Sequence, residues 1–235
     1  MEIENKIHEK YQNAVPLTEL VETITQHLNN NNIEINHCVP ATCLCRDDST
    51  SQIIQELKKN NFKNNFNLEA LGGAPLAGKT ALTAYYHHLH NENQTNYSGL
   101  IIFGPHIGID KNLKFGHLHR EGQDRPSTSC GANHIILNHI QQNTQPDSND
   151  PELLNLYNYL KPYFNQIKDL EEKTDQIQKI VEKEYEKGIQ DLIETITQLK
   201  QNEANNHKIL LIGGIHIDTP PELQNHFEIK QITWL

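Results

Sequence analysis

The chain has 235 residues, a formal net charge of -10 and four cysteines. Such an acidic balance disfavours the phosphate backbone of a nucleic acid as a partner. Four cysteines are too few for a disulfide scaffold, and the longest apolar runs, ILLIGGI and GLIIFG, fall far short of the ~20 residues of a membrane span.

The opening MEIENKIHEKYQ is charged and lacks the apolar stretch of a secretory signal. The expectation is a soluble, cytoplasmic protein with reduced thiols, long enough to form a single core. Leu17, Leu20, Val21, Ile24 and Leu28 recur at helical spacing, which predicts an amphipathic helix from Pro16 to about Asn29. Ile33–Cys38 alternates weakly and fits a strand or a loop. Ser49 or Thr50 can cap the next helix, bearing Ile53, Ile54 and Leu57, so Cys45 falls at a strand end just before a helix. LEALGGAPLAG reads as a glycine-rich turn and KTALTAYYHHLH as a helix. GLIIFGP reads as a buried strand with His106 just past its end. FGHLHREG reads as extended, and a helix starts near Cys130.

From Glu152 to about Lys200, apolar residues keep a 3–4 spacing, with breaks expected at Pro162 and Gly188. The charged stretch EEKTDQIQKIVEKEYEK is read as facing solvent. KILLIGGIHID is a buried strand, TPP a turn and HFEIKQITWL a last strand. Strands alternating with helices predict an α/β fold with a mainly parallel central sheet flanked by helices. The whole chain, 1–235, is read as one domain with a helical insertion at about 151–200.

Three segments carry chemistry: CLCRDD (Cys43–Asp48), FGPHIGI (Phe103–Ile109) and REGQDRPSTSCGA (Arg120–Ala132). They offer the thiolates of Cys45 and Cys130 and the imidazole of His106. That is the donor set of an open catalytic zinc site, with a fourth position left for water. Asp47 adds a carboxylate two residues past the first of these cysteines. Taken singly, each cysteine would be a buried core thiol, and His106 a satisfied structural residue. Cys43 is read as core packing, Cys38 is left without a role, and Asp110 and Asp124 are read as solvated loop acids. Gly73–Thr80 matches G-x-x-x-x-G-K-[T] letter for letter, but the polar NNFNLEAL before it is not the buried strand a phosphate loop needs. Its glycines are read as turn formers and Lys79 as a surface residue.

In chain order, CLCRDD, GGAPLAG, LIIFGPHIGI, REGQDRPSTSCGA and ILLIGGIHIDTP resemble the limiting-CO2-inducible protein B family, the theta class, akin to the beta carbonic anhydrases. The resemblance covers roughly Ile33–Ala132 and resumes at Lys208–Leu235. It implies a beta-carbonic-anhydrase-like fold, a homodimer and one zinc per subunit held by Cys45, His106 and Cys130. The implied activity is that of a carbonic anhydrase: reversible, zinc-dependent hydration of CO2 to bicarbonate and a proton by zinc-bound hydroxide. The alternative is a non-catalytic zinc-binding homologue acting as an inorganic-carbon sensor or assembly partner.

The family's C-x-D followed by D or E falls on Cys45-Arg46-Asp47-Asp48, and its arginine in R-x-G-Q falls on Arg120. The beta-class pattern C-x-D-x-R would put arginine at position 49, where this chain has Ser49. The partner of Asp47 must then come from elsewhere, with Arg120 the first choice and Arg46 and Arg125 its rivals. Asp48 competes with Asp47 for the acidic role. The CO2 pocket is expected to be small and partly apolar, lined by Leu71, Phe103 and the GGAP backbone, including Gly72 and Gly73. His117 and His119 are the candidates for passing the proton on, because an unperturbed histidine titrates near neutrality. Ser127–Ser129 are placed to hydrogen-bond a thiolate or bicarbonate.

Overall fold

The apolar run Leu100–Phe103 splits by side-chain parity. Leu100 and Ile102 join one hydrophobic core, Ile101 and Phe103 another. A strand apolar on both faces lies between two layers. The computed structural model describes residues 2–73, 78–89, 97–202 and 207–235.

Among the described residues the chain begins with α1 (Glu2–Lys10), β1 (Ala14–Pro16), α2 (Leu17–Asn30), β2 (Cys38–Leu44), α3 (Ser51–Lys59), β3 (Phe66–Asn67) and α4 (Gly78–His88). The strands β4 (Ser98–Gly104), β5 (His106–Gly108), β6 (His117–Leu118) and β7 (Ser127–Thr128) follow. Then come α5 (Gly131–Gln142), α6 (Pro151–Leu160), α7 (Phe164–Lys168), α8 (Lys173–Asn202), β8 (Ile209–Asp218) and β9 (His226–Trp234). The main sheet runs β1-β9-β8-β4-β2-β3, with β5 beside the far end of β8. The strands β3, β2, β4, β8 and β5 pair in parallel, while β9 pairs antiparallel with β8 and β1. The fold is therefore the α/β class with a mainly parallel sheet, closed at one side by an antiparallel hairpin.

One layer holds α2 and α3, whose Leu17, Leu20, Val21, Ile24, Leu28, Ile53 and Leu57 pack with Leu210 and Ile212. The other holds α4, α5, α6 and α8 against Ile101, Phe103, Ile209 and Leu211. Each such fully buried Leu or Ile contributes roughly 1.5–3 kcal/mol of transfer free energy. Only Pro105 separates β4 from β5, and both keep one register on β8. A Cβ on Gly104 would lie 2.7 Å from the Gly214 carbonyl oxygen, so only glycine permits this approach. The Pro105 carbonyl then accepts from His216 N at 2.9 Å, and β5 takes up pairing with His106 opposite His216. This pairing holds His106 at the carboxyl end of the sheet, where ligands gather in parallel sheets.

Several boundaries differ from the sequence reading. Ile35–His37 is a 3-10 turn, and the strand begins at Cys38. The polar N-terminus forms α1, which buries Ile7. Of FGHLHREG only His117–Leu118 is strand. The helical segment does break at Lys161–Tyr163, but α8 runs unbroken through Gly188. Gly188 serves packing rather than breakage: a Cβ there would lie 2.3 Å from Phe103 Cζ. Only β3, two residues long, precedes the GGAPLAGKT segment, and Lys79 is an exposed residue of α4. Residues 74–77 of that segment lie outside the described residues, so Ala74 and Pro75 of the expected pocket lining are not placed.

Candidate metal centre

Cys45 follows the last residue of β2, His106 opens β5, and Cys130 sits directly before α5. One ligand atom from each lies within 4.8 Å of the other two, and all three residues are buried. The two sulfurs are 4.0 Å apart, less than twice a Zn–S bond of ~2.3 Å, so both can reach one ion. His106 Nδ1 is 2.6 Å from Asp218 Oδ2. Its Nε2 is buried without a hydrogen-bond partner. A carboxylate holding one ring nitrogen while the other is left bare is how a metal-ligating histidine is fixed in tautomer and direction. The residues present therefore fit a divalent, thiophilic cation such as zinc.

The electrostatics agree. In the metal-free protein a hydrogen bond from Cys130 lowers the Cys45 thiol most, with His106 and the Gly72 N–H adding to it against burial. That thiolate in turn holds Cys130 well above the ordinary thiol range, and burial adds to the effect. One negative charge is accommodated and the second is resisted until a cation joins them. Burial opposes a charge on His106, but the Asp218 carboxylate outweighs it and raises the ring well above its usual value. By contrast, burial alone pushes the Cys38 thiol up to about 12 and the Cys43 thiol well above its ordinary value, as inert core thiols should be.

Asp47 and Arg120 meet beside the triad. Arg120 Nη2 donates to both carboxylate oxygens of Asp47, at 3.2 and 3.1 Å. The guanidinium is held by Ser127 Oγ at 2.5 Å and by the carbonyls of Thr128 and Ser129. Ser49, standing where the beta-class pattern has arginine, donates to Asp47 Oδ1 through its N–H and its hydroxyl. Burial would raise the Asp47 carboxyl, yet the charged His106 ring of the metal-free protein and the hydrogen bonds from Asp48 and Ser49 hold it below its ordinary value. Asp48 is 85% exposed and only 3.7 Å from Arg120 Nε. Of the rival arginines, Arg46 turns away to Glu152 at 3.1 Å, and Arg125 is exposed.

Gly72 and Gly73 both have positive φ, +70° and +96°. A Cβ on Gly73 would lie 3.1 Å from the Cys43 carbonyl and the Phe103 ring, so glycine lets this turn close over the end of β2. Leu71 is partly buried against the core, and its N–H donates to Glu152 Oε1. Phe103 is fully buried, stacked on Tyr185 of α8. The two relay candidates part company. His119 shares a cleft of about 270 Å³ with Arg120, Asp48, Ser49 and Asp218. His117 opens on a separate cavity of about 300 Å³ with His134 and Lys114. Ser129 is buried beside Cys130, with its hydroxyl unpartnered.

Two acids near the centre were given no role in the sequence reading, although Asp218 lies within the phrase ILLIGGIHIDTP. Asp218 ends β8 and orients His106; the available signal was an aspartate closing an apolar strand. Glu184 lies in the charged stretch expected to face solvent, yet it is 1% exposed. The burial reflects helical phase: Ile177, Val181, Glu184 and Gly188 fall on the stripe of α8 turned to the sheet. Glu184 Oε2 accepts from Asn133 Nδ2 at 3.0 Å. Burial pushes its carboxyl up to about 8, and the nearby Cys45 thiolate adds to the rise.

A sequence model of the family described as limiting CO2-inducible proteins B/C beta carbonic anhydrases matches residues 14–234. The crystal structure of PtLCIB4, a homolog of the limiting CO2-inducible protein LCIB, superposes with a TM-score of 0.82 at 22% identity, over 98% of this chain and 94% of that one. A histidine-to-alanine mutant of PtLCIB4 superposes with a TM-score of 0.86 at 21% identity, over 98% and 92%. The crystal structure of LCIB itself gives 0.64 at 16% identity, over 96% and 95%. These likenesses show a shared fold. No curated protein matches the chain in sequence.

Proposed function

The chain belongs to the limiting CO2-inducible protein B/C family of beta carbonic anhydrases, and from that premise we propose that it catalyses the reversible hydration of CO2 to bicarbonate and a proton at a zinc held by Cys45, His106 and Cys130. The observation that carries this reading is the bare Nε2 of His106, aimed by Asp218 at two thiols 4.0 Å apart. Zinc, when bound, supplies the nucleophile by lowering the pKa of water from about 15.7 to about 7.

The chain's own residues do the rest. Arg120 takes up both oxygens of Asp47 and so keeps that carboxylate from closing on the metal itself. Held there, Asp47 is an acceptor that orients a hydroxyl group at the centre. The arginine reaches Asp47 from the REGQ segment because Ser49 replaces the arginine of the beta-class pattern, and Ser49 adds two donors to the same carboxylate. The CO2 side is assigned to Leu71, Phe103, Gly72 and Gly73, whose surfaces are short or apolar. His119, in the cleft beside Arg120, receives the proton. The reading also includes a homodimer as the working unit and the cytoplasm as the compartment. The whole chain serves as one carbonic-anhydrase-like domain.

Stopped-flow CO2 hydration on zinc-loaded protein tests the proposal, with Cys45→Ala and Asp47→Ala beside it. About one zinc per chain and a rate lost in both variants uphold it. Zinc without any rate above buffer replaces the enzyme by a non-catalytic zinc protein of the same fold, serving as sensor or assembly partner. Absence of zinc overturns the ligand assignment.

A further inference from the structure

Buried side-chain atoms around the triad without a hydrogen-bond partner include His106 Nε2, Ser129 Oγ, Asn133 Oδ1 and Glu184 Oε1. A metal accounts for the first. The last belongs to a carboxyl group delivered by α8, and leaving it unpaired in the interior is costly unless a ligand meets it.

Its place is set by both thiols. The backbone N–H of Gly72 favours the Cys45 thiolate and that of Asn133 the Cys130 thiolate. Glu184 spans these two donors' segments. Its Oε2 accepts from the Asn133 side chain, and its Oε1 lies where a Cβ on Gly72 would be 3.1 Å away. Leu156 Cδ1 crowds the same spot, 2.9 Å from that Cβ position, so apolar surface rather than water surrounds the carboxyl. Because Oε2 is already an acceptor, a proton on this group sits on Oε1. The result is a buried O–H donor with no protein acceptor.

We propose that Glu184 is a further substrate-binding residue of this centre, its Oε1–H donating a hydrogen bond to an oxygen of bicarbonate, and to that same oxygen as negative charge develops on it from CO2. The inference rests on the function proposed above and names the group with which this chain holds the oxyanion. Asp47 cannot fill the role: it is an acceptor whose oxygens are taken by Arg120 and Ser49. Burial keeps Glu184 neutral, as a donor must be. The closeness to Gly72 also requires glycine there, because a side chain would occupy the space between Glu184 and Leu156.

The test is bicarbonate titration of the cobalt(II)-substituted protein at pH 7, followed by its visible absorption, with metal content and melting temperature measured on each sample. Glu184→Met keeps the bulk and removes the donor. It is expected to hold one metal per chain and to bind bicarbonate about 10–100-fold more weakly, the effect of losing one hydrogen bond to a charged ligand. Glu184→Gln can still accept from Asn133 and donate through Nε2, and is expected within about threefold of the original protein. Glu184→Ala repeats the loss without the bulk, should methionine disturb folding. Metal-loaded Met or Ala variants that bind bicarbonate as the original does overturn the inference and leave the proposed function standing. So does a Gln variant as weak as Met. A metal-loaded original protein with no bicarbonate response overturns the proposed function, and this inference with it.

Discussion

Asp47 and Glu184 are two carboxyl groups beside the same three ligand atoms, and the fold treats them in opposite ways. Asp47 comes from a loop, is 16% exposed at its side chain, and has its oxygens occupied by Arg120 and Ser49. Glu184 comes from a long helix, is buried, and has one oxygen satisfied and one bare. The first is held below its usual pKa and the second pushed up to about 8. One functional group thus gives an ionised acceptor on one side and a neutral donor on the other. The division comes from burial at Glu184 and from the charges and hydrogen bonds around Asp47, which is how a site separates acceptor from donor at one pH.

Removing what the two sides share has the largest effect. Cys45→Ala or Cys130→Ala should reduce zinc from about one per chain to below about 0.1, read by metal analysis, and abolish any hydration rate. Next comes the anchor of the third ligand. Asp218→Asn frees the His106 ring, and competition with a chelator should show metal affinity about 10–100-fold weaker.

Breaking the Asp47 side alone should spare the metal. With Arg120→Ala, zinc content should hold while the hydration rate falls about tenfold or more. The melting temperature should barely move, because the Arg120–Asp47 pair is partly exposed and such pairs stabilise little. An equal loss of zinc would mean that Arg120 acts on the ligands and not on Asp47.

Two smaller effects test the helical side. Gly188→Ala drives a methyl into the Phe103 ring, and overpacking of this kind costs about 1–3 kcal/mol. A melting temperature lower by several degrees is expected, and an unchanged one would show that α8 is loosely seated. The last prediction concerns pH. In chelator-treated protein the folded state keeps a proton on Glu184 up to about pH 8, whereas the ordinary value is 4.5. The folded state therefore binds more protons across that window, and stability falls as pH rises through it. Glu184→Gln does not titrate, so its melting temperature should gain on the original protein from about pH 4.5 to about 8 and then level off. A constant gap would show Glu184 already ionised in the folded state.

The ligand residues were legible because each sits in a local phrase at a strand end or helix start, and those phrases need no tertiary knowledge to be noticed. The glycine of α8 was misread because glycine has two uses in a helix. Without a partner in view, a break is as good a reading as a close contact. Glu184 was misread because charge outweighed phase: it lies among Lys183, Glu186 and Lys187, which suggests solvent, although it keeps step with Ile177 and Val181. Asp218 was passed over because it is separated from His106 by 112 residues, and only the parallel pairing of β5 with β8 joins them.

The sequence by itself determined the α/β class and singled out Cys45, His106 and Cys130, which the fold brings together, and Asp47, two residues past the first of them. Apolar periodicity and short polar phrases are local properties and are written residue by residue. Only the tertiary structure decided which arginine reaches Asp47, which aspartate aims His106, and that a helix outside the resembling stretches carries a carboxyl into the centre. Those choices depend on distances across the chain, set by the pairing of β5 with β8 and by the packing of α8 on the sheet. A hydrogen bond is formed between positions in space, and nothing in the order of residues states how far apart two of them will lie.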